Sequence, residues 1–167
     1  MLGRRPDGKL ARDVPAYRRL MPWLSHGKNG STVYFEQTVD LALTDEFLRR
    51  HNEEHPGHHA RLFHLVLWAM VRTLRDRPRL NRFVSGGHLW DRDGIWISFS
   101  AKKRLDDNSP IVVLKRRFDP DITFKGLVAD LESDIGVGRS DKASSTDKEV
   151  ALIARLPSFA IGLLFAL

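Results

Sequence analysis

The chain has 167 residues, 42% of them hydrophobic and 29% charged, and a formal net charge of +6 with seven histidines counted neutral. That is the length of one ordinary domain with enough apolar residues for a core, and the composition is not that of a disordered chain. Cysteine is absent, which excludes disulfides, thiol nucleophiles and Cys-bound zinc.

The basic residues are spread in small groups, Arg4-Arg5, Arg18-Arg19, Lys102-Lys103-Arg104 and Lys115-Arg116-Arg117, with acids between them. None makes a basic helix interleaved with aromatics, so no nucleic-acid partner is expected. The charge suits an anionic small ligand equally well. The N-terminus is basic but lacks an apolar signal region, so a cytoplasmic protein is expected.

Residues 1–30 are predicted to be an irregular arm, because Pro6, Pro15, Pro22 and the Gly27/Gly30 pair interrupt regular structure. Arg18–Trp23 could form a short helical turn. Ser31–Leu41 alternates apolar and polar residues and predicts a strand, with Val33, Phe35, Gln37, Val39 and Leu41 on one face. Thr44 is a candidate N-cap for a helix reaching about Glu54. A longer helix is predicted from His59 to Arg77, its core stripe read as Leu62, Leu65, Val66, Ala69, Met70, Thr73 and Leu74. Roughly 27 Å long and charged at its ends, it is no membrane span.

Pro78 stops that helix. Asp93-Gly94 reads as the turn of a hairpin leading into a strand in which Ile95, Ile97 and Phe99 alternate with Trp96, Ser98 and Ser100. Ile111–Arg117 predicts another strand, and Thr123 caps a helix with Phe124, Leu127, Val128, Leu131 and Ile135 on one face. A loop over 136–146 and a last short helix from Asp147 follow. The end, residues 157–167, is an apolar tail in want of something to bury against.

His51, His55, His58 and His59 cluster at a helix end, but the order His-Asn-Glu-Glu-His is no metalloprotease signature, and a solvated surface cluster is expected. His64, among apolar neighbours, is read as structural. The four tryptophans are read as core and interface bulk.

Several segments together resemble the catalytic domain of the 2-oxo acid dehydrogenase dihydrolipoyl acyltransferases, a chloramphenicol acetyltransferase-like family. They are RRLMPWL (18–24), STVYFEQTVDLALTDEFLRRHN (31–52), LFHLVLWAMVRTLRDRPRLNRFV (62–84) and GIWISFSAKK (94–103). The resemblance implies an α+β fold, a mixed β-sheet covered by helices, in one incomplete domain over 1–167. It implies coenzyme A as co-substrate, an acyl-CoA or lipoyl-type thiol as partner, and a homotrimer whose subunits share a channel. By position, Asn81, Ser98, Ser100 and Lys102 are the channel-lining candidates.

The family's base is the histidine of His-x-x-x-Asp-Gly, which takes the thiol proton. This chain lacks that pattern; His88 to Asp93-Gly94 is one residue too long and belongs to a turn. The resemblance therefore implies an acyltransferase domain without its own base, inactive alone. The rival expectation is a non-catalytic scaffold of the same fold that associates through a sheet edge and its apolar tail.

Overall fold

A computed structural model describes residues 4–25, 27–102 and 111–139. The last predicted helix, the apolar tail and most of the 136–146 loop lie outside the described residues. The chain divides into two compact units, one of Met1–Ser98 with Lys115–Glu132, the other of Phe99–Leu114 with Ser133–Leu167. The architecture is mixed α and β, with small sheets rather than one large one.

The predicted irregular arm contains regular structure. Strands β1 (Arg4–Arg5) and β2 (Gly8–Leu10) form a hairpin, and helices α1 (Ala16–Leu24) and α2 (Gly27–Gly30) follow. β2 carries no apolar alternation; it exists because it pairs with β4 (His88–Arg92), Gly8 opposite Arg92 and Leu10 opposite Trp90. Such non-local pairing leaves no local signal. β3 (Arg82–Ser85) closes the sheet in the order β1-β2-β4-β3.

The hairpin is not where it was expected. β3 and β4 turn at Gly86-Gly87, whose φ values of 58° and 72° only glycine adopts freely, with Ser85 opposite His88. Asp93-Gly94 turns too, at φ 75° for Gly94. It joins β4 to β5 (Ile95–Lys102), which pairs not with β4 but with β6 (Ile111–Phe118) in a two-stranded sheet. The Asp-Gly turn is a corner between sheets.

The predicted strand over Ser31–Leu41 does not form: residues 32–41 have no strand assignment and all are exposed. Its pattern is right for a strand, but a strand exists only by pairing, and among the described residues no strand adjoins it. Helix α3 (Ala42–Glu54) then starts three residues early, and the Asp40 carboxylate accepts the Ala42 N–H at 2.9 Å. The N-cap is Leu41, not Thr44, and it makes no side-chain cap bond.

Helix α4 (Leu62–Asp76) begins after Arg61, whose N–H is accepted by the His64 ring at 2.9 Å. His64 is thus structural, as read. The core face is not the predicted one: His64, Leu67 and Val71 are buried, whereas Val66, Ala69, Met70 and Thr73 are exposed. The helix is apolar nearly all round, so periodicity alone could not choose a side.

Helix α5 (Phe124–Arg139) matches expectation more closely. Thr123 Oγ1 accepts the Gly126 N–H at 3.1 Å, and Leu127, Val128 and Leu131 are fully buried. Phe124 and Val128 pack with Leu48 of α3 and Ala60, flanked by Leu65 and Trp68. Asn52 clamps Ala60 through two hydrogen bonds of 2.8 and 3.0 Å. Trp68 donates to the Ile122 carbonyl at 2.9 Å, tying α4 to the turn before α5.

Candidate functional site

The corner at Asp93-Gly94 sets up the site. Beyond it Ile95 and Ile97 point into the core, so Trp96, Ser98 and Ser100 face outward. On β6 the burial alternates in the opposite sense: Val113, Lys115 and Arg117 are exposed, whereas Phe118 is buried. Arg116, on the inward side, is anchored to the Asp130 carboxylate at 2.6 Å.

These exposures bring an aromatic ring and cations together. The Lys115 ammonium lies 5.5 Å from the centre of the Trp96 ring, a cation–π contact. Arg117 lies against Gly94, where any side chain would displace it, and 3.8 Å from the Asp93 carboxylate. Arg92 lies 4.4 Å from the centre of the Phe83 ring. Arg92, Asp93, Trp96, Lys115 and Arg117, with Pro6 and Asp7, line a cavity of about 170 Å³.

Two carboxylates also line it, and they differ. Asp7 is held by Arg5 through bonds of 2.8 and 3.1 Å, and that hydrogen bonding keeps its carboxyl below the usual range. Arg5 accounts for its charge, leaving Arg92, Lys115 and Arg117 against the single carboxylate of Asp93. The cavity is suited to an anion of phosphate size with an aromatic face beside it. No histidine lines it.

The sequence candidates separate. Asn81 donates from Nδ2 to the Gly94 carbonyl at 3.0 Å, so it fixes the corner rather than facing the cavity. Ser98 is exposed two residues from Trp96 on the same face. Ser100 is exposed one repeat further along, in the second unit. The Lys102 side chain lies outside the described residues. Arg92, Trp96, Lys115 and Arg117 were not singled out. The available signal was the Lys-Arg-Arg run inside an alternating strand, which puts two cations on one face. Replacing Asn81 with Ala should loosen the corner and lower stability by about 1–2 kcal/mol, read from a urea midpoint.

The histidine cluster is not the solvated patch expected. His51 is buried, stacked on His55 with ring centres 4.5 Å apart and edge-on to Phe124 at 4.9 Å. Its Nε2 has no hydrogen-bond partner among the described residues. His58 Nδ1 meets the Glu132 carboxylate at 2.8 Å, and the His59 N–H donates to the same group. Burial holds His51 and His64 below the ordinary histidine value. Among the described residues no group of metal-ligating side chains is assembled, and no helix is long and apolar enough to cross a membrane. His88, exposed, stays within its turn, its Nδ1 donating to the Gly86 carbonyl at 2.6 Å.

A larger cavity, about 850 Å³, runs beside α1 between Met21, Pro22, Val33, Val84 and Leu89. It is mostly apolar, and its polar residues, Arg18, Ser25 and Ser31, do not form a charged cluster. No family model, curated protein or solved structure matches the chain.

Proposed function

We propose that this chain is an acyltransferase-family domain of the dihydrolipoyl acyltransferase, chloramphenicol acetyltransferase-like type, which binds the acidic end of coenzyme A but cannot run the transfer alone. The observation that carries it is the cationic cavity of Arg92, Lys115 and Arg117 around Trp96, next to Ser98. Coenzyme A presents phosphates and an adenine, which such a set receives by charge and by stacking. The segments resembling the family supply the direction of the reading. The chemistry that would follow, removal of the thiol proton, needs a base of the kind the family carries in His-x-x-x-Asp-Gly. The sequence lacks that pattern, and on this reading the bound thiol stays protonated. A trimer sharing its channel between subunits belongs to the same proposal.

Titration calorimetry with coenzyme A tests it. Binding is expected, weakened at least about tenfold in the Lys115→Ala/Arg117→Ala double variant. Thioester exchange between acetyl-CoA and a dithiol is expected at the free-thiol background. No binding, or binding indifferent to those two residues, overturns the site; turnover above background overturns the missing base.

A second reading, a non-catalytic scaffold, is favoured by a separate observation. The outer face of α4, with Val66, Ala69, Met70, Thr73 and Leu74, forms an apolar groove of about 330 Å³ open to solvent. Exposed apolar surface of this kind marks an interaction face more often than a reaction site.

A further inference from the structure

Among the described residues, the segment from Val33 to Leu41 stands out for exposed apolar side chains. Val33, Tyr34 and Phe35 are 87%, 94% and 86% exposed, and Val39 is 65% exposed. The backbone from 33 to 41 belongs to no helix or strand, although its residues alternate as a strand's do. Such a segment leaves both its ladder of N–H and C=O groups and its apolar face to water.

The same chain carries a complementary acceptor. β6 has a partner on one side only, β5, so its other edge is open among the described residues. A two-stranded sheet is marginal in water and gains by a third strand. Charge selects this edge over that of β5. The 33–41 segment carries Glu36 and Asp40 and no cation, whereas β6 carries Lys115, Arg116 and Arg117 and no acid. The described outward face of β5, Trp96 with Ser98, is uncharged.

We propose that residues 33–41 of one copy add as an antiparallel strand to the open edge of β6 in a second copy, with the exchange reciprocal between the two. One register satisfies both faces. With Glu36 opposite Arg117, Thr38 falls opposite Lys115 and Asp40 lies diagonal to it, within reach of a long side chain. On the other face the same register sets Phe35 beside Phe118. A one-residue slip would put either Phe35 against Arg117 or, in the other direction, Glu36 against Phe118, so the apolar pattern opposes it both ways. Reciprocal exchange is the isologous arrangement of a two-fold dimer and leaves neither segment unpaired.

The dimer rests on the 33–41 segment and the open edge of β6, not on the coenzyme A reading, and it competes with that reading and its trimer, because strand addition engages Lys115 and Arg117.

Sedimentation velocity on the full chain decides it. The wild type is expected to dimerise with concentration. Gln37→Pro removes a ladder N–H at an exposed residue that the isolated copy does not use, and should leave a folded monomer by circular dichroism. Glu36→Arg and Arg117→Glu should each weaken self-association at least about tenfold. Mixing those two variants should restore a dimer, because each junction again holds opposite charges. A wild type that stays monomeric, a dimer indifferent to Gln37→Pro, or two charge variants that do not recombine would each overturn the proposal. Pairing within one copy would appear as a monomer whose variants gain nothing on mixing.

Discussion

Leu67→Ala is expected to lower stability by about 2–5 kcal/mol, while Met70→Ala, one turn away on the same helix, changes it by less than about 0.5 kcal/mol. Leu67 is 4% exposed and Met70 is 44% exposed. Removing the buried side chain forfeits its transfer free energy and leaves a cavity beside Val71; removing the exposed one does neither. Urea unfolding of the two variants measures the contrast directly. Against a total stability of roughly 5–15 kcal/mol, the Leu67 loss would leave a substantially unfolded population in mild denaturant. Equal effects would mean that α4 buries neither side in preference, and the reverse order would show that it faces the core with its Met70 side.

Acid should be the second large effect. His51 is held below the ordinary histidine value first by burial, then by His55 and Lys125, with Glu54 acting the other way. His64 is lowered chiefly by burial, helped by Arg61 and His59 and opposed by Glu132. A histidine whose folded value is depressed binds protons more readily when unfolded. Its contribution is therefore complete above about 6.5 and is lost as pH falls toward the folded value. Glu132 acts in the same direction over a lower range. Burial raises its carboxyl, but the hydrogen bonds from His58 and the His59 N–H outweigh that and leave it lowered. The melting temperature should fall steadily between about pH 7 and about pH 4, the upper part from the histidines and the lower from Glu132 together with Asp7, Asp13, Glu46 and Asp76, whose carboxyls neighbouring arginines also hold low. His51→Phe, whose ring suits the site between Phe47 and Phe124, should flatten the upper part. A slope unchanged in that variant would remove His51 from the account.

Both results turn on the same kind of information. The Thr123 cap, the Ile95/Ile97 alternation and the β6 strand were legible because each is decided within a few residues. The cap needs one hydroxyl next to free N–H groups, and alternation needs only one buried face. The Asp93-Gly94 turn was legible as a turn for the same reason. Its partner strand was not, since turn chemistry fixes backbone angles at two residues and pairing is settled by strands elsewhere. The site divides likewise. Ser98 was visible as an outward residue, and Asn81 was found but in a supporting role. The cavity itself draws on Pro6, Arg92 and Arg117, which lie too far apart in sequence for any spacing to reveal.

The sequence by itself determined the class of the protein: a mixed α and β chain without cysteine chemistry, with helix starts, turns and outward strand faces where local physics puts them. Only the tertiary structure decided which side of α4 is core, that His51 is enclosed by Phe124 from a helix 70 residues later, and that residues 33–41 have a strand's pattern with no strand beside them. Burial and pairing are properties of contacts between distant segments. A chain that is apolar on several faces, as α4 is, carries too many locally acceptable answers for pattern alone to choose among them.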